Sequence, residues 1–377
     1  MSSTPAASPS WMEREPLGSV NVVVCGVGAF GRNHLRVYRE LEQQGHPVRL
    51  AAVVEPGSAH ASALREEAQQ QGWGFPVFSS LGECLAARSA GQIAADAASV
   101  CVPTSAHFPV ATELLTAGLD VLVEKPIAAT VDEADRLIAL ARQHGCVLQV
   151  GHLERFNPAV TAIEPYLDGP MFFEVHRLSV FSPRALDVDV VLDLMVHDLD
   201  IVLSFAQSPV RHLHAVGLPI LSGKVDIANV RIEFESGCVA NCTASRVSTE
   251  RIRKMRFFQP HQYVSIDYAR QDLFVIDVTA NAGMAAAMAA EAARSAAPAA
   301  GSRESLLPPG LALKRPEVHP GEPLRLEIES FLESVRSRNR PRVSGEDGRK
   351  ALALALDINA AIAAHSERAG LRRFTGA

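Results

Sequence analysis

Residues 20–32 read VNVVVCGVGAFGR, and this stretch predicts the fold of the first third of the chain. An apolar run that ends in glycine is typical of a strand buried on both faces. Gly26, Gly28 and Gly31 then form the pattern G-x-G-x-x-G where a helix opens. The first glycine permits a tight turn, the second lets the backbone approach a pyrophosphate, and the third lets helix and strand pack closely. The stretch therefore predicts a strand, turn and helix that bind a dinucleotide.

Around this unit, short β-rich runs alternate with helical segments up to residue 150. Further strands are expected at VRLAAVVE, ASVCVPT, LDVLVEKP and CVLQV. Thr130 and Glu133 have the spacing of a capping box at the start of a helix. The alternation predicts an α/β domain over residues 19–150, with a parallel sheet and helices on both faces.

The pattern changes after Gly151. Strand-like runs accumulate, interrupted by one strongly apolar helix over about 190–205, and helices return near the C-terminus. This pattern predicts an α+β domain over 151–370, built on a large, mostly antiparallel open sheet. Residues 280–320 are rich in Ala, Pro, Gly and Ser and are expected to form a low-complexity insertion. Residues 1–18 are expected to be a disordered lead-in.

Composition excludes several classes of protein. The chain has 377 residues, of which 47% are hydrophobic and 21% charged, so it is globular rather than disordered. A net charge of −6 argues against a nucleic-acid or anionic-membrane partner. The six cysteines are scattered, which favours reduced thiols over a disulfide framework. Because the sequence shows neither a secretory signal nor an apolar run long enough for a membrane span, we expect no membrane insertion and a cytoplasmic protein.

Glu55 ends the second predicted strand and bears on the choice of coenzyme. A carboxylate there is placed to accept hydrogen bonds from both ribose hydroxyls of an adenosine half. It would repel a 2′-phosphate, and the Gly57-Ser58-Ala59 segment that follows offers no arginine to receive one. The sequence therefore favours NAD over NADP.

A polar stripe runs along the apolar helix VVLDLMVHDLDIVLSF. Asp193, His197 and Asp200 are spaced i, i+4 and i+7, which puts them on one helical face. Burying two carboxylates and an imidazole is costly unless they are paired or used. A structural network, a metal site and an acid/base site are all compatible with the stripe. We favour the acid/base site and expect no metal, because no neighbouring motif completes a ligand set.

Lys125 stands at the carboxyl end of a predicted parallel strand, the edge at which ligands bind in doubly wound folds. Its alternative interpretation is an ordinary surface lysine. Beside a cationic nicotinamide, a buried lysine should lose proton affinity through desolvation and like-charge repulsion. Lys125 is therefore a candidate base or hydrogen-bond partner for a substrate hydroxyl.

Taken together, these segments resemble the glucose–fructose oxidoreductase, inositol dehydrogenase and rhizopine-catabolism (Gfo/Idh/MocA) family. The resemblance rests on GVGAFG at 26–31, PTSAH at 103–107, EKP at 124–126, GHLERFNP at 151–158 and DLMVH at 193–197. It implies a Rossmann domain followed by an open-sheet domain that carries the substrate and usually mediates oligomerisation. A homo-oligomer, either a dimer or a tetramer, is accordingly expected.

The resemblance also implies roles for individual residues. Lys125, Asp193 and His197 match the catalytic lysine and D-x-x-x-H pair of the family. Arg155 and Phe156 fall in the segment that lines the junction of cofactor and substrate. The residues expected to bind NAD are Gly26, Gly28, Ala29, Phe30, Gly31, Glu55, Pro103, Thr104, His107, Glu124, Lys125 and Arg155.

Three longer stretches, GHLERFNPAV, DVDVVLDLMVHDLDIVL and DIANVRIEFESGCVANCTASRVSTERIRKMRFFQP, are most similar to one subgroup of the family. Its members oxidise the 3-hydroxyl of UDP-N-acetylglucosamine and feed a 2,3-diamino sugar into lipid A. A UDP-sugar needs cationic donors, for which Arg155, Arg177, Arg184 and Arg246 are candidates. A dehydrogenase of a free polyol such as inositol, an NAD-dependent glycosidase and a non-catalytic NAD-sensing regulator are the alternatives.

Overall fold

The structure is a computed structural model that describes residues 15, 17–181, 188–278 and 311–370. Most of the expected lead-in, and residues 280–310 of the expected insertion, lie outside these residues. At the end of the lead-in, the backbone N–H of Leu17 donates a hydrogen bond to the carbonyl of Arg336 (3.3 Å).

The described residues carry nine α-helices and fourteen strands. The helices are α1 (Gly31–Gln43), α2 (Ser58–Gln70), α3 (Leu81–Ser89), α4 (Thr104–Thr116), α5 (Val131–Gln143), α6 (Pro158–Ile163), α7 (Val196–Ala206), α8 (Pro323–Ser337) and α9 (Gly345–Ala369). The strands are β1 (Val20–Cys25), β2 (Val48–Val54), β3 (Val77–Phe78), β4 (Ala97–Val100), β5 (Asp120–Glu124), β6 (Leu148–Gly151), β7 (Phe172–Val180), β8 (Val210–Leu218), β9 (Ile227–Phe234), β10 (Val239–Ser248), β11 (Ile252–Gln259), β12 (Gln262–Asp267), β13 (Asp272–Val278) and β14 (Leu311–Lys314).

The chain divides into two compact units. The first contains the described residues up to 156 together with 322–353, and the second contains the rest. The sequence pattern predicts that all of 151–370 belongs to the second domain, whereas in the structure α8 packs with the first unit. The reason is the apolar stripe of α8, which joins the core formed by β1, β2 and α1 and consists of Leu324, Ile328, Phe331, Leu332 and Val335.

The first unit is built on a six-stranded sheet in the order β3-β2-β1-β4-β5-β6. Every pairing in it is parallel. This is the doubly wound order in which ligands bind at the carboxyl ends of the strands where the order reverses, here at β1 and β4. The capping box at the start of α5 is confirmed by a hydrogen bond from the Glu133 N–H to Thr130 Oγ1 (3.2 Å) and its reciprocal partner.

The second unit contains an eight-stranded sheet in the order β14-β13-β12-β11-β7-β10-β9-β8. Only β7 and β10 pair in parallel, so the expectation of a mostly antiparallel sheet is confirmed. Alternate residues of its central strands, such as Phe173, Val175 and Phe257, are fully buried. Strand β14 lies inside the stretch predicted to be an insertion, and it pairs with β13.

Candidate active site

The glycine loop shows why two of its three glycines are needed for packing. Gly26 has φ +85°, and a Cβ there would lie 2.9 Å from the carbonyl oxygen of Cys101. A Cβ on Gly31 would lie 2.0 Å from the carbonyl oxygen of Gly26. A Cβ on Gly28 would meet no protein atom within 4 Å, so contacts within the protein do not require that glycine. A ligand that approaches the backbone closely would require glycine at this position. The loop therefore fits a dinucleotide pyrophosphate.

Two further predicted cofactor residues follow in the loop. Ala29 and Phe30 are exposed at the start of α1, directly before Gly31. Their position at a helix N-terminus leaves backbone N–H groups available for an anion.

Glu55 is buried just beyond β2 and is fixed by two backbone donors. Its Oε2 accepts a hydrogen bond from the Val27 N–H (2.8 Å) and its Oε1 accepts one from the Gly57 N–H (2.9 Å). The carboxylate is thus tied to the glycine loop itself. Each oxygen keeps a second lone pair, so the carboxylate can still accept from ribose hydroxyls.

We expect the Glu55→Ser variant to lose at least about tenfold of its preference for NAD over NADP, measured as the ratio of kcat/KM values. The reason is the loss of a carboxylate that repels a 2′-phosphate. Glu55→Gln keeps one acceptor oxygen for the Val27 N–H but removes the charge, and it should move the preference in the same direction. Glu66→Ser, at an exposed position on α2, is the control. An unchanged ratio would make Glu55 a bystander.

His107 contacts the backbone of two different loops. Its side chain is buried, with Nδ1 2.8 Å from the Pro126 carbonyl oxygen and Nε2 2.9 Å from the Val102 carbonyl oxygen. Burial lowers the pKa of this imidazole. Pro103 and Thr104 lie at the start of the same helix, α4, with Pro103 exposed and Thr104 half-buried. His107 therefore connects the loop after β4 to the segment after β5.

Strand β5 delivers the Glu-Lys-Pro segment. Lys125 is half-buried and joins Pro126 through a cis peptide bond. Glu124 is buried, and its Oε1 lies 2.9 Å from Nε2 of His34 on α1. Glu124, expected among the cofactor-binding residues, thus has its carboxylate engaged with an imidazole inside the first unit.

His152 is not among the predicted site residues, and the charge of Lys125 acts on its imidazole. Burial lowers the pKa of His152 to about 3, and the charges of Lys125 and Arg155 act in the same direction. This imidazole is therefore neutral near pH 7. Arg155 is half-buried, with Nη2 3.5 Å from the carbonyl oxygen of Arg342. In the sequence, only the position of His152 within the GHLERFNP segment could have pointed to it as a site residue.

In the second unit, the polar helix differs locally from its expected form. Val191–Met195 form a π-helical turn before α7 begins, so Asp193 lies in the π turn and His197 in the first turn of α7. Both are half-buried. Asp189 accepts hydrogen bonds from the N–H groups of Val191 (2.9 Å) and Leu192 (3.0 Å) and so caps this segment. π-Helical turns occur frequently at functional sites.

Two of the arginines suggested for a diphosphate have partners inside the second unit. Arg177 makes a buried, two-pronged pair with Asp198, through Nε to Oδ2 (2.6 Å) and Nη2 to Oδ1 (2.8 Å). Arg246 is buried, donates to the Val188 carbonyl oxygen (2.6 Å) and lies 3.8 Å from Asp226. Arg177 and Arg246 thus have partners within the protein, their role as substrate ligands stays a prediction, and Arg184 lies outside the described residues.

The sequence matches two models of one family. Residues 20–152 match "Oxidoreductase family, NAD-binding Rossmann fold" and residues 171–259 match "GFO/IDH/MocA C-terminal domain". The chain belongs to the Gfo/Idh/MocA family, and the domain that carries the glycine loop is an NAD-binding Rossmann domain of an oxidoreductase.

Within that family, the chain is similar over nearly its whole length to one characterised enzyme. It is 32% identical over 346 residues to the UDP-N-acetylglucosamine 3-dehydrogenase of Acidithiobacillus ferrooxidans, covering 92% of this chain and 98% of the relative. The solved structure of that enzyme, GnnA, matches with a TM-score of 0.76 at 30% identity and with the same coverage. Inositol 2-dehydrogenase of Corynebacterium glutamicum is 28% identical over 202 residues, 51% of this chain and 56% of the relative.

A more distant structure shares the fold alone. The WlbA dehydrogenase of Bordetella pertussis, solved with NADH and UDP-GlcNAcA, matches with a TM-score of 0.69 at 17% identity, covering 92% of this chain and 97% of its own. Among the helices of the described residues, none is both long enough and apolar enough to cross a bilayer.

Proposed function

We propose that the protein oxidises the 3-hydroxyl of UDP-N-acetylglucosamine to the 3-keto sugar, with NAD as the hydride acceptor. The observation that carries this proposal is the similarity to the A. ferrooxidans enzyme across 98% of that enzyme's length. A 3-keto nucleotide sugar is a substrate for an aminotransferase, so we place the reaction before formation of a 2,3-diamino sugar for lipid A.

The proposed chemistry assigns separate tasks to the coenzyme and to Lys125, His197 and Asp193. Bound NAD supplies an acceptor for the hydride that leaves the carbon bearing the hydroxyl. Lys125 orients that hydroxyl and helps lower its pKa, and His197 accepts its proton or shares this task with Lys125. Asp193 fixes the imidazole or binds a neighbouring hydroxyl. The protein contributes mainly by positioning these groups.

The test is formation of NADH, followed by absorbance, from purified protein with NAD and UDP-N-acetylglucosamine. We expect NADH to accumulate and UDP to compete with the sugar nucleotide. Oxidation of free inositol without competition by UDP would favour the polyol dehydrogenase. Hydrolysis of a glycoside without net NADH would favour the NAD-dependent glycosidase, because that reaction returns the hydride within each turnover.

We further propose a homo-oligomer, a dimer or a tetramer, formed through the open face of the second sheet. One side of that sheet carries a row of rings, in which Phe172 and Phe258 (5.7 Å between centroids) continue through Tyr263 to Phe274. Phe258 is 38% exposed and Met171 is 48% exposed.

A cytoplasmic location accords with six cysteines that are all free thiols.

A further inference from the structure

Three ionisable residues from distant parts of the chain meet in the interior of the first unit. They are His34 on α1, Glu124 at the end of β5 and Glu327 on α8, and we call them the His34 cluster. All three are buried, with exposures of 0%, 8% and 0%. One imidazole nitrogen of His34 and one carboxylate oxygen of each glutamate lie within 4.8 Å of one another.

The backbone of neighbouring strand β6 leaves room for the Glu124 carboxylate of this cluster. Gly151 on β6 pairs with Glu124, and a Cβ there would lie 2.8 Å from Oε1 of Glu124, so only glycine leaves room for the carboxylate. The carbonyl oxygen of Glu327 accepts from Nε2 of Gln149 (3.2 Å), which holds α8 at β6. These contacts join α1, β5, β6 and α8 around one buried carboxylate.

Two neighbouring ionisable groups, Tyr38 and Cys101, add no charge to the cluster. The pKa of Tyr38 is raised by burial, and the carboxylates of Glu327 and Glu124 raise it further. Burial and the same two carboxylates raise the pKa of the Cys101 thiol. Both groups are therefore neutral near pH 7. The imidazole of His34 donates to Glu124 in this interior, and a buried carboxylate without such a donor is costly.

We propose that His34 is a positioning residue for the oxidation. Its Nε2–H holds the Glu124 carboxylate inside the first unit and so fixes the end of β5, where Lys125 follows by one peptide bond. Because α1 begins at Gly31 of the glycine loop, the same hydrogen bond ties the cofactor-binding loop to the strand that carries Lys125. This inference rests on the proposed function, in which Lys125 acts on the hydroxyl.

A bound divalent cation is the competing explanation, because imidazole and carboxylate groups are common metal ligands. The distance of 2.9 Å between Nε2 of His34 and Oε1 of Glu124 is that of a hydrogen bond. A metal on that nitrogen would remove the N–H that Glu124 accepts. The geometry therefore favours the hydrogen bond, and metal content is one outcome of the test.

The experiment compares His34→Ala with His34→Gln, whose amide N–H reaches the position of the imidazole donor. We expect His34→Ala to lower kcat about 10-fold to 100-fold with little change in KM for NAD, because small misplacements of reacting groups are this costly. His34→Gln should retain kcat within about threefold of wild type. Equal kcat in folded wild type and His34→Ala, or no rescue by Gln, would overturn the proposal.

A second readout is independent of the substrate. The rate at which an amine-specific reagent labels Lys125, followed by peptide mass spectrometry, should change in His34→Ala and return towards wild type in His34→Gln. Unchanged labelling in His34→Ala means that His34 does not position Lys125, even if the wild type were found inactive on UDP-N-acetylglucosamine. A stoichiometric metal in the purified wild type that is lost from His34→Ala would replace the proposal with a metal site.

Discussion

We expect the Lys125→Ala variant to turn over at least about 100-fold more slowly than the wild type, with nearly unchanged affinity for NAD. A group that orients the reacting hydroxyl and stabilises its alkoxide acts on the transition state, so its loss falls on kcat. The coenzyme keeps the glycine loop and the Glu55 carboxylate, which the N–H groups of Val27 and Gly57 hold in place. Steady-state kinetics and a direct NAD titration measure the two quantities separately.

Two variants control for loss of packing and for loss of charge elsewhere. Lys125→Met retains a long side chain without the ammonium group and should be nearly as slow as Lys125→Ala. Lys350→Ala removes an exposed lysine from α9 and should leave kcat unchanged. A loss below about tenfold in Lys125→Ala, with the protein folded, would contradict the role assigned to this residue.

The second large effect is expected in the glycine loop. Two glycine-to-alanine substitutions there should affect different properties, one the stability of the fold and the other the affinity for NAD. Gly31→Ala puts a methyl group 2.0 Å from the Gly26 carbonyl oxygen, a contact that only a backbone shift can relieve. Overpacking of this kind costs roughly 1–3 kcal/mol or more. We therefore expect the melting temperature without NAD to fall by about 5 °C or more, or the protein not to fold.

Gly28→Ala should leave the fold intact, because its Cβ meets no protein atom within 4 Å and its φ is not positive. The methyl group should instead obstruct the pyrophosphate and raise the dissociation constant of NAD by about tenfold or more. The same fixed concentration of NAD should raise the melting temperature of the wild type and should raise that of Gly28→Ala less. Equal NAD affinity in Gly28→Ala and wild type would show that the loop does not cradle the coenzyme.

Much of the first unit was predictable because its determinants act over a few residues. The apolar runs of β1, β2 and β5, the glycine turn and the Thr130–Glu133 box follow from steric rules and local hydrogen bonds. Helix α3 was missed because only one turn of its apolar face, Cys84 and Ala87, is buried. The π turn before α7 was missed because its sequence, VLDLM, fits an α-helix equally well.

By itself, the sequence determined the two sheets, the dinucleotide loop and the residues of the Glu-Lys-Pro and Asp-Leu-Met-Val-His segments. Only the tertiary structure decided that α8 packs with the first unit, that Arg177 is engaged by Asp198, and that His34, Glu124 and Glu327 share one buried cluster. The reason is that propensity and periodicity operate over neighbouring residues. Which polar side chains meet in a desolvated interior depends on how segments hundreds of residues apart pack together.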